Sequence, residues 1–486
     1  MDESKQKPLA VQKTVDNMAY CRQYTNHSQA EKSSLKKDRN TRIYHVSHIP
    51  KELNMSANTS ESYDVIIVGS GPGGASVANQ LSQTGKRILM LEWGDNAKIR
   101  GSLFQLALNA GIPGQSLLFT DKTFLAMIRG LCTGGSSVFY CATAFEPPYD
   151  MLDAYGIDLR EDVREIRQEV PIAPVEDRLM GVGARMIMDS ALELGYQWTK
   201  LNKFIYQDKC KTDCGKCTYG CPYGAKWTAR NYVEKATDRG MSLINGAKVT
   251  RILFEGNTAV GVRYRKNFKD HDVFAKKIVV SAGGVGSPEL LRHSGLYQAG
   301  YDFFFDPLTM VFGTVDGLKS KGEIQMAAGI HNKEGGYLMV DLNFPTPIYL
   351  AQSMPRLRLH KAFSQSSTLM IMIKIKDALG GRITWNGGVR KSIKDEDKAR
   401  LKDGLGHAKK ILENAGARGI FKGWTVAAHP GGTVKIGDML DKDLKTSREN
   451  LYVCDCSTIP EAWGLPPTFT LLAMGRRLAR HLDSQM

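Results

Sequence analysis

Four cysteines lie in residues 210–221, spaced Cys210-x3-Cys214-x2-Cys217-x3-Cys221-Pro222. Thiolates this close, in a loop with Gly215 and Gly220 as turns and Pro222 closing it, suit a soft metal centre. The run departs from the bacterial ferredoxin spacing by one residue in the first gap, which favours a single [4Fe-4S] cubane. A four-cysteine zinc site is the main competitor, and thiols without metal are the plain alternative. Lys216 and Lys226 stand close in sequence and would lessen the negative charge of such a centre. The chain has nine cysteines, an odd and clustered set that does not describe a disulfide framework. Cys132, Cys141, Cys454 and Cys456 read as small core residues.

A second constellation is Gly69-Ser70-Gly71-Pro72-Gly73-Gly74, a G-x-G-x-x-G turn. Gly69 allows the tight turn, Gly71 lets backbone approach a pyrophosphate, and Gly74 lets a helix pack against a strand. Amides at the start of that helix would face phosphate oxygens. Glu92 stands 23 residues after Gly69, placed to hold a ribose diol. Glycines that serve only a turn are the bland reading. The context argues against it: an apolar β-branched strand over 63–69, a helix over 74–83, a Thr84-Gly85 stop and a second strand over 87–92.

These groups need a scaffold, and 486 residues suffice for two domains. With 42% hydrophobic and 24% charged residues the composition is that of a folded chain, not a fibrous or wholly disordered one. No apolar run is long enough for a membrane span. The first twenty residues contain no apolar signal-peptide core, so a cytoplasmic location is expected. The net charge of +15 is spread along the chain and gives little support to nucleic-acid binding. Residues 1–62 contain no Gly, Phe or Trp and read as a disordered tail. Further strands are expected at 277–282 and 450–455, the first leading to a helix opened by Ser287-Pro288 and the second to a final helix ending near Leu482. Residues 301–390 alternate as a one-side-buried antiparallel sheet would, and 394–415 have helical spacing. The expected fold is α/β: a discontinuous Rossmann-like domain (63–150, 222–300, 420–486) and a second α+β substrate domain on an antiparallel sheet (151–209, 301–419). The cysteine loop, 210–221, lies between.

Five groups of residues then occur in one order: Arg129-Gly130; Gly134-Gly135-Ser136-Ser137; Ser281-Ala282-Gly283-Gly284 with Ser287-Pro288; His429-Pro430-x-Gly432-Thr433; and Asp455-x-Ser457-x-x-Pro460. Together with the glycine turn they resemble the glucose–methanol–choline (GMC) family of FAD-dependent oxidoreductases, over residues 63–486. The resemblance implies FAD as cofactor. It places Gly134, Gly135, Ser136 and Ser137 along the flavin and its phosphates, and Val249 beside the adenine. Asp455, Pro467 and Thr468 would close over the isoalloxazine and ribityl chain. His429 would assist proton removal from a substrate hydroxyl while hydride passes to the flavin.

Two departures accompany it. Pro466 stands where the family supplies an Asn or His, and Tyr140 where an Asn is expected, so either His429 acts alone, or Tyr140 or another group substitutes, or the reaction is different. The implied function is oxidation of an alcohol CH–OH group, on a small-molecule alcohol or sugar. An iron–sulfur centre would pass electrons to a carrier, as in a dehydrogenase. The alternatives are a ferredoxin-fed reductase of a C=C or C=O bond and a zinc-stapled, non-enzymatic flavoprotein.

Overall fold

The computed structural model describes residues 62–121, 123–353 and 364–486. The expected tail, 1–62, lies outside them but for Ser62.

Tyr63–Val68 is a strand because a β-branched apolar run can be buried on both faces, and Val65, Ile66 and Ile67 are fully buried. It pairs in parallel with Ile88–Leu91 on one side and with the end of the long strand Lys269–Val280 on the other. Ser242–Ile244 extends the parallel sheet beyond Ile88–Leu91, and Leu451–Val453 joins it beside Ile278 to Val280. The first half of Lys269–Val280 turns to antiparallel partners, Thr258–Lys266 and then Lys248–Glu255. The sheet has seven strands. Helix Pro72–Leu81 packs on it and is itself crossed by the last helix, Thr468–Ser484, where Gly475 comes so close that an added Cβ would lie 2.5 Å from the Gly73 carbonyl oxygen.

A second sheet of nine strands is centred on Pro307–Thr314, Thr368–Ile375, Tyr337–Leu342 and Ala328–Asn332, all antiparallel to their neighbours. The expected antiparallel sheet and α/β class are therefore found, but the central strands are buried on both faces and not on one, because helices and loops cover both sides. Helix Asp395–Asn414 covers one face, with Leu401, Ala408, Ile411 and Leu412 inward. The strands Leu117–Phe119, Ala126–Ile128 and Val426–Ala427 also join this sheet, so chain from the nucleotide side is woven into it.

One helix differs from expectation. It runs Gly283–His293, starting before Ser287-Pro288 and carrying Pro288 inside. Proline cannot donate to the carbonyl four residues back. Here that carbonyl, Gly284 O, instead accepts from the Thr433 hydroxyl at 2.8 Å, so the helix continues through the proline.

Candidate active site

The glycine turn leaves Tyr63–Val68 with Gly69 at φ +98°, a conformation only glycine takes without strain. A Cβ on Gly74 would lie 2.4 Å from the Gly69 carbonyl oxygen and 2.9 Å from Ser281 Cβ; on Gly73 it would lie 2.0 Å from the Cys454 carbonyl oxygen. Gly71 is different: a Cβ there would meet nothing within 4 Å. Two glycines thus lock the helix to the sheet, while the third faces open space at the helix N-terminus. That arrangement fits a dinucleotide pyrophosphate. Gly74→Ala should abolish retention of the nucleotide cofactor and lower the melting temperature, since the methyl overlaps backbone that cannot move aside; cofactor content and a thermal melt check both.

Glu92 is buried, and burial pushes its carboxyl above the ordinary range despite hydrogen bonds from Ser70 and Gly94. Its Oε2 accepts from the Ser70 amide at 3.0 Å and hydroxyl at 2.6 Å, and Oε1 from the Gly94 amide at 2.7 Å. The Ser70 hydroxyl in turn accepts from the Gly134 amide at 3.0 Å. This chain of contacts ties the glycine turn to the loop Gly134-Gly135-Ser136-Ser137, where an added Cβ on Gly135 would sit 3.1 Å from Gly71 Cα. The Ser137 hydroxyl donates to Gly134 O at 2.6 Å and accepts from the Ala229 amide at 3.0 Å. Ser136 Oγ accepts from the Gly130 amide. Val249 is half-buried in Lys248–Glu255, next to Lys248, whose ammonium lies 4.3 Å from the Trp93 ring centre. Asp455 clamps two elements: Oδ2 accepts from the Gly283 amide at 2.9 Å and from the Ser287 hydroxyl, and Oδ1 from the Ser457 amide at 2.8 Å. Pro467 caps the last helix and Thr468 opens it.

His429 follows the strand Val426–Ala427 of the second sheet and borders this cradle, its carbonyl accepting from the Cys456 thiol at 3.6 Å beside Asp455. Its backbone is left-handed, φ +47°, as is that of Asp306, φ +41°. Each such non-glycine residue costs about 1–3 kcal/mol, and such strain concentrates at functional sites. Imidazole Nδ1 lies 3.2 Å from both Asp306 Oδ2 and Lys374 Nζ, which are 2.9 Å from each other. The Asp306 and Lys374 side chains are 1% exposed and the imidazole 30%. A buried carboxylate and ammonium thus hold one edge of the ring while the other opens outward. Burial, then the Lys374 charge, lowers the imidazole pKa below its usual value, against the pull of Asp306. Asp306 Oδ1 is buried with no hydrogen-bond partner among the described residues.

Neither Asp306 nor Lys374 was singled out from sequence. Lys374 had a signal: it is a lone charge in TLMIMIKI, a strand of eight buried residues, and a charge there requires a partner. Tyr140 is no substitute for the missing Asn, because its hydroxyl donates to the Trp227 carbonyl at 2.8 Å.

The cysteine loop adjoins the nucleotide cradle. A Cβ on Gly220 would lie 3.3 Å from Val138 Cγ1, one residue beyond Ser137. Cys210, Cys214 and Cys217 line a cavity of about 260 Å³ with Arg178, Glu323 and Ile324. Burial, reinforced by Cys217, Cys214 and Cys221, pushes the Cys210 thiol up to about 12. Among the described residues no group of three or more His, Cys, Asp or Glu could hold a metal ion. Two lysines stand beside the loop, 1% and 5% exposed. Lys203 Nζ donates to the carbonyls of Cys141, Gln325 and Met326; Lys226 Nζ donates to those of Val138, Tyr140 and Cys217, the last at 2.6 Å. Burial lowers the Lys226 ammonium to about 8, against the pull of the neighbouring cysteine sulfurs. Cys132, Cys454 and Cys456 are buried as expected, whereas Cys141 is half-buried.

A parallel sheet with a glycine turn, joined to an antiparallel sheet that presents a histidine, makes this a nucleotide-cofactor enzyme fold. Two models of the GMC oxidoreductase family match, over residues 54–302 and 388–475, and the chain belongs to that family of flavin oxidoreductases. It is 28% identical to an uncharacterized protein of Methanocaldococcus jannaschii, over 86% of this chain and 100% of that one. It is 24% identical to a long-chain-alcohol oxidase of Arabidopsis thaliana, over 87% of this chain and 68% of that one. Its fold is similar to that of pyridoxine 4-oxidase from Mesorbium loti, with a TM-score of 0.69 and 18% identity, covering 87% of this chain and 99% of that one.

Proposed function

We propose that this chain binds FAD and oxidises the CH–OH group of a small-molecule alcohol, with His429 as the base. The triangle of His429, Asp306 and Lys374 carries the reading. With Lys374 paired to Asp306, Nδ1–H donates to the carboxylate, which leaves the outward Nε2 with a free lone pair for a hydroxyl proton. Lys374 keeps the ring neutral and Asp306 fixes its tautomer and orientation. Gly69, Gly71, Gly74 and Glu92 would hold the adenosine and pyrophosphate, with Val249 beside the adenine. Gly134, Gly135, Ser136, Ser137, Asp455, Pro467 and Thr468 would line the rest. Bound FAD would supply the hydride acceptor. Relatives acting on long-chain alcohols and on pyridoxine support a hydroxyl-bearing substrate.

For the electron exit we propose an iron–sulfur cluster on Cys210, Cys214, Cys217 and Cys221. Two buried ammonium groups held only by neutral oxygens are costly, and an anionic cluster beside them would offset that cost. A cubane is larger than one ion, so its ligands need not converge on one point. A cluster would take electrons singly, toward a carrier.

Anaerobic bleaching of the flavin by alcohols tests the main reading. The rate should rise with pH along a limb below the usual histidine value of about 6.5, because the base must be neutral. Lys374→Met should move that limb to higher pH, since the charge that opposes imidazolium is gone. Bleaching by reduced ferredoxin and by no alcohol would favour a reductase instead.

A further inference from the structure

The helix Leu103–Ala110 is turned inside out. Gln105 and Asn109 are buried, whereas Leu103, Phe104 and Leu108 are 44%, 73% and 51% exposed. The inward polar groups are satisfied: Gln105 accepts from the Arg100 amide at 2.7 Å and donates to Lys98 O at 3.0 Å, and the Asn109 side-chain amide donates to Asp95 Oδ1 at 3.5 Å. They fasten the helix to its surroundings, so the apolar face is left with no packing role.

The hairpin that follows repeats the pattern. Strand alternation puts Leu118 and Met127 inside and Phe119 and Ile128 outside, on the face that also carries Leu117. Phe124, at the hairpin tip, is exposed too, and Phe119 stacks on the exposed Trp424 at 6.5 Å between ring centres. Seven exposed large apolar side chains fall between residues 103 and 128, against nine in all the rest of the described chain. Concentration of this kind marks an interaction site.

Charge identifies the occupant. Among the described charges over residues 95–130, Lys98, Arg100 and Asp95 are exposed, Arg129 is half-buried with its guanidinium on Gln115 O and over the Trp93 ring, and Asp121 lies 3.7 Å from Arg390. Lys98 and Arg100 are exposed just ahead of the helix. Aromatic and aliphatic side chains flanked by basic ones are the composition of a segment that lies in a lipid interface, and anionic headgroups attract such flanks.

We propose that this face docks on an anionic lipid surface, with Phe104, Leu108, Phe124 and Ile128 at the headgroup boundary and Lys98 and Arg100 among the headgroups. No described helix is long and apolar enough to cross a membrane, so the contact is peripheral.

Co-sedimentation of the full chain with vesicles of phosphatidylcholine containing roughly one third phosphatidylglycerol tests it. The protein should pellet with these vesicles and much less with phosphatidylcholine alone. Phe104→Gln with Leu108→Gln should weaken binding at least about tenfold, with melting temperature and flavin content unchanged because both positions are exposed. No pelleting, or equal pelleting of the double variant, overturns the proposal. So does a double variant that converts a dimer to a monomer while neither form binds vesicles, which would make the face a contact between copies.

Discussion

His429→Ala should slow flavin bleaching by an alcohol ~10²–10⁴-fold while FAD remains bound, the loss typical of a missing general base. The imidazole lies outside the glycine cradle, so cofactor content is the internal control. Its backbone is left-handed, and alanine there would add strain; His429→Asn, a residue that tolerates this conformation, separates strain from chemistry. Both variants should be slow. Asp306→Asn tests the positioning role: the ring stays, but Nδ1 can receive a hydrogen bond from the amide, which favours the tautomer with no lone pair at Nε2. Its rate should fall, and its pH limb should shift downward, because an anion that favours imidazolium is gone. Wild-type bleaching rates in His429→Asn would exclude the base.

Cys217→Ser should remove most iron and sulfide from anaerobically purified protein and leave flavin absorbance in place. Cys217 starts the turn Cys217–Tyr219, and its carbonyl, which serine keeps, accepts from Lys226. The substitution therefore removes a ligand and spares the backbone contact. Bleaching by substrate should persist, because in the proposed reaction the cysteine loop takes no part in removing the substrate's proton and hydride. Turnover with a one-electron acceptor should drop. Wild-type protein with one zinc and no iron would instead make the loop a staple, and Cys217→Ser would then impair folding with no specific electron-transfer defect.

The parallel strands and glycine turn were legible in sequence because their determinants are local: a β-branched run, glycines at fixed offsets and an acid at the next strand end. The histidine was legible through its motif. Its two partners were not, because Asp306 just precedes the strand Pro307–Thr314 while Lys374 lies in Thr368–Ile375, and the two meet only through the pairing of those strands. Lys203 escaped for the same reason, and Lys226, legible as a charge near the cysteines, gave no sign of its burial: burial and the lack of a carboxylate partner belong to the fold and leave no spacing to read. The Pro288 boundary was misread because the rescuing hydroxyl, Thr433, is 145 residues away in sequence.

The pairing of Leu451–Val453 with Lys269–Val280, and the crossing of Pro72–Leu81 by Thr468–Ser484, bear on biosynthesis. The residues that begin the nucleotide fold are translated first and their covering helix last. During elongation the apolar faces of Tyr63–Val68 and Pro72–Leu81 must wait for about 400 further residues, some 20–80 s at ribosomal speeds of roughly 5–20 residues per second. That interval is one in which a chaperone, or the antiparallel sheet assembling in between, must keep those surfaces from other chains.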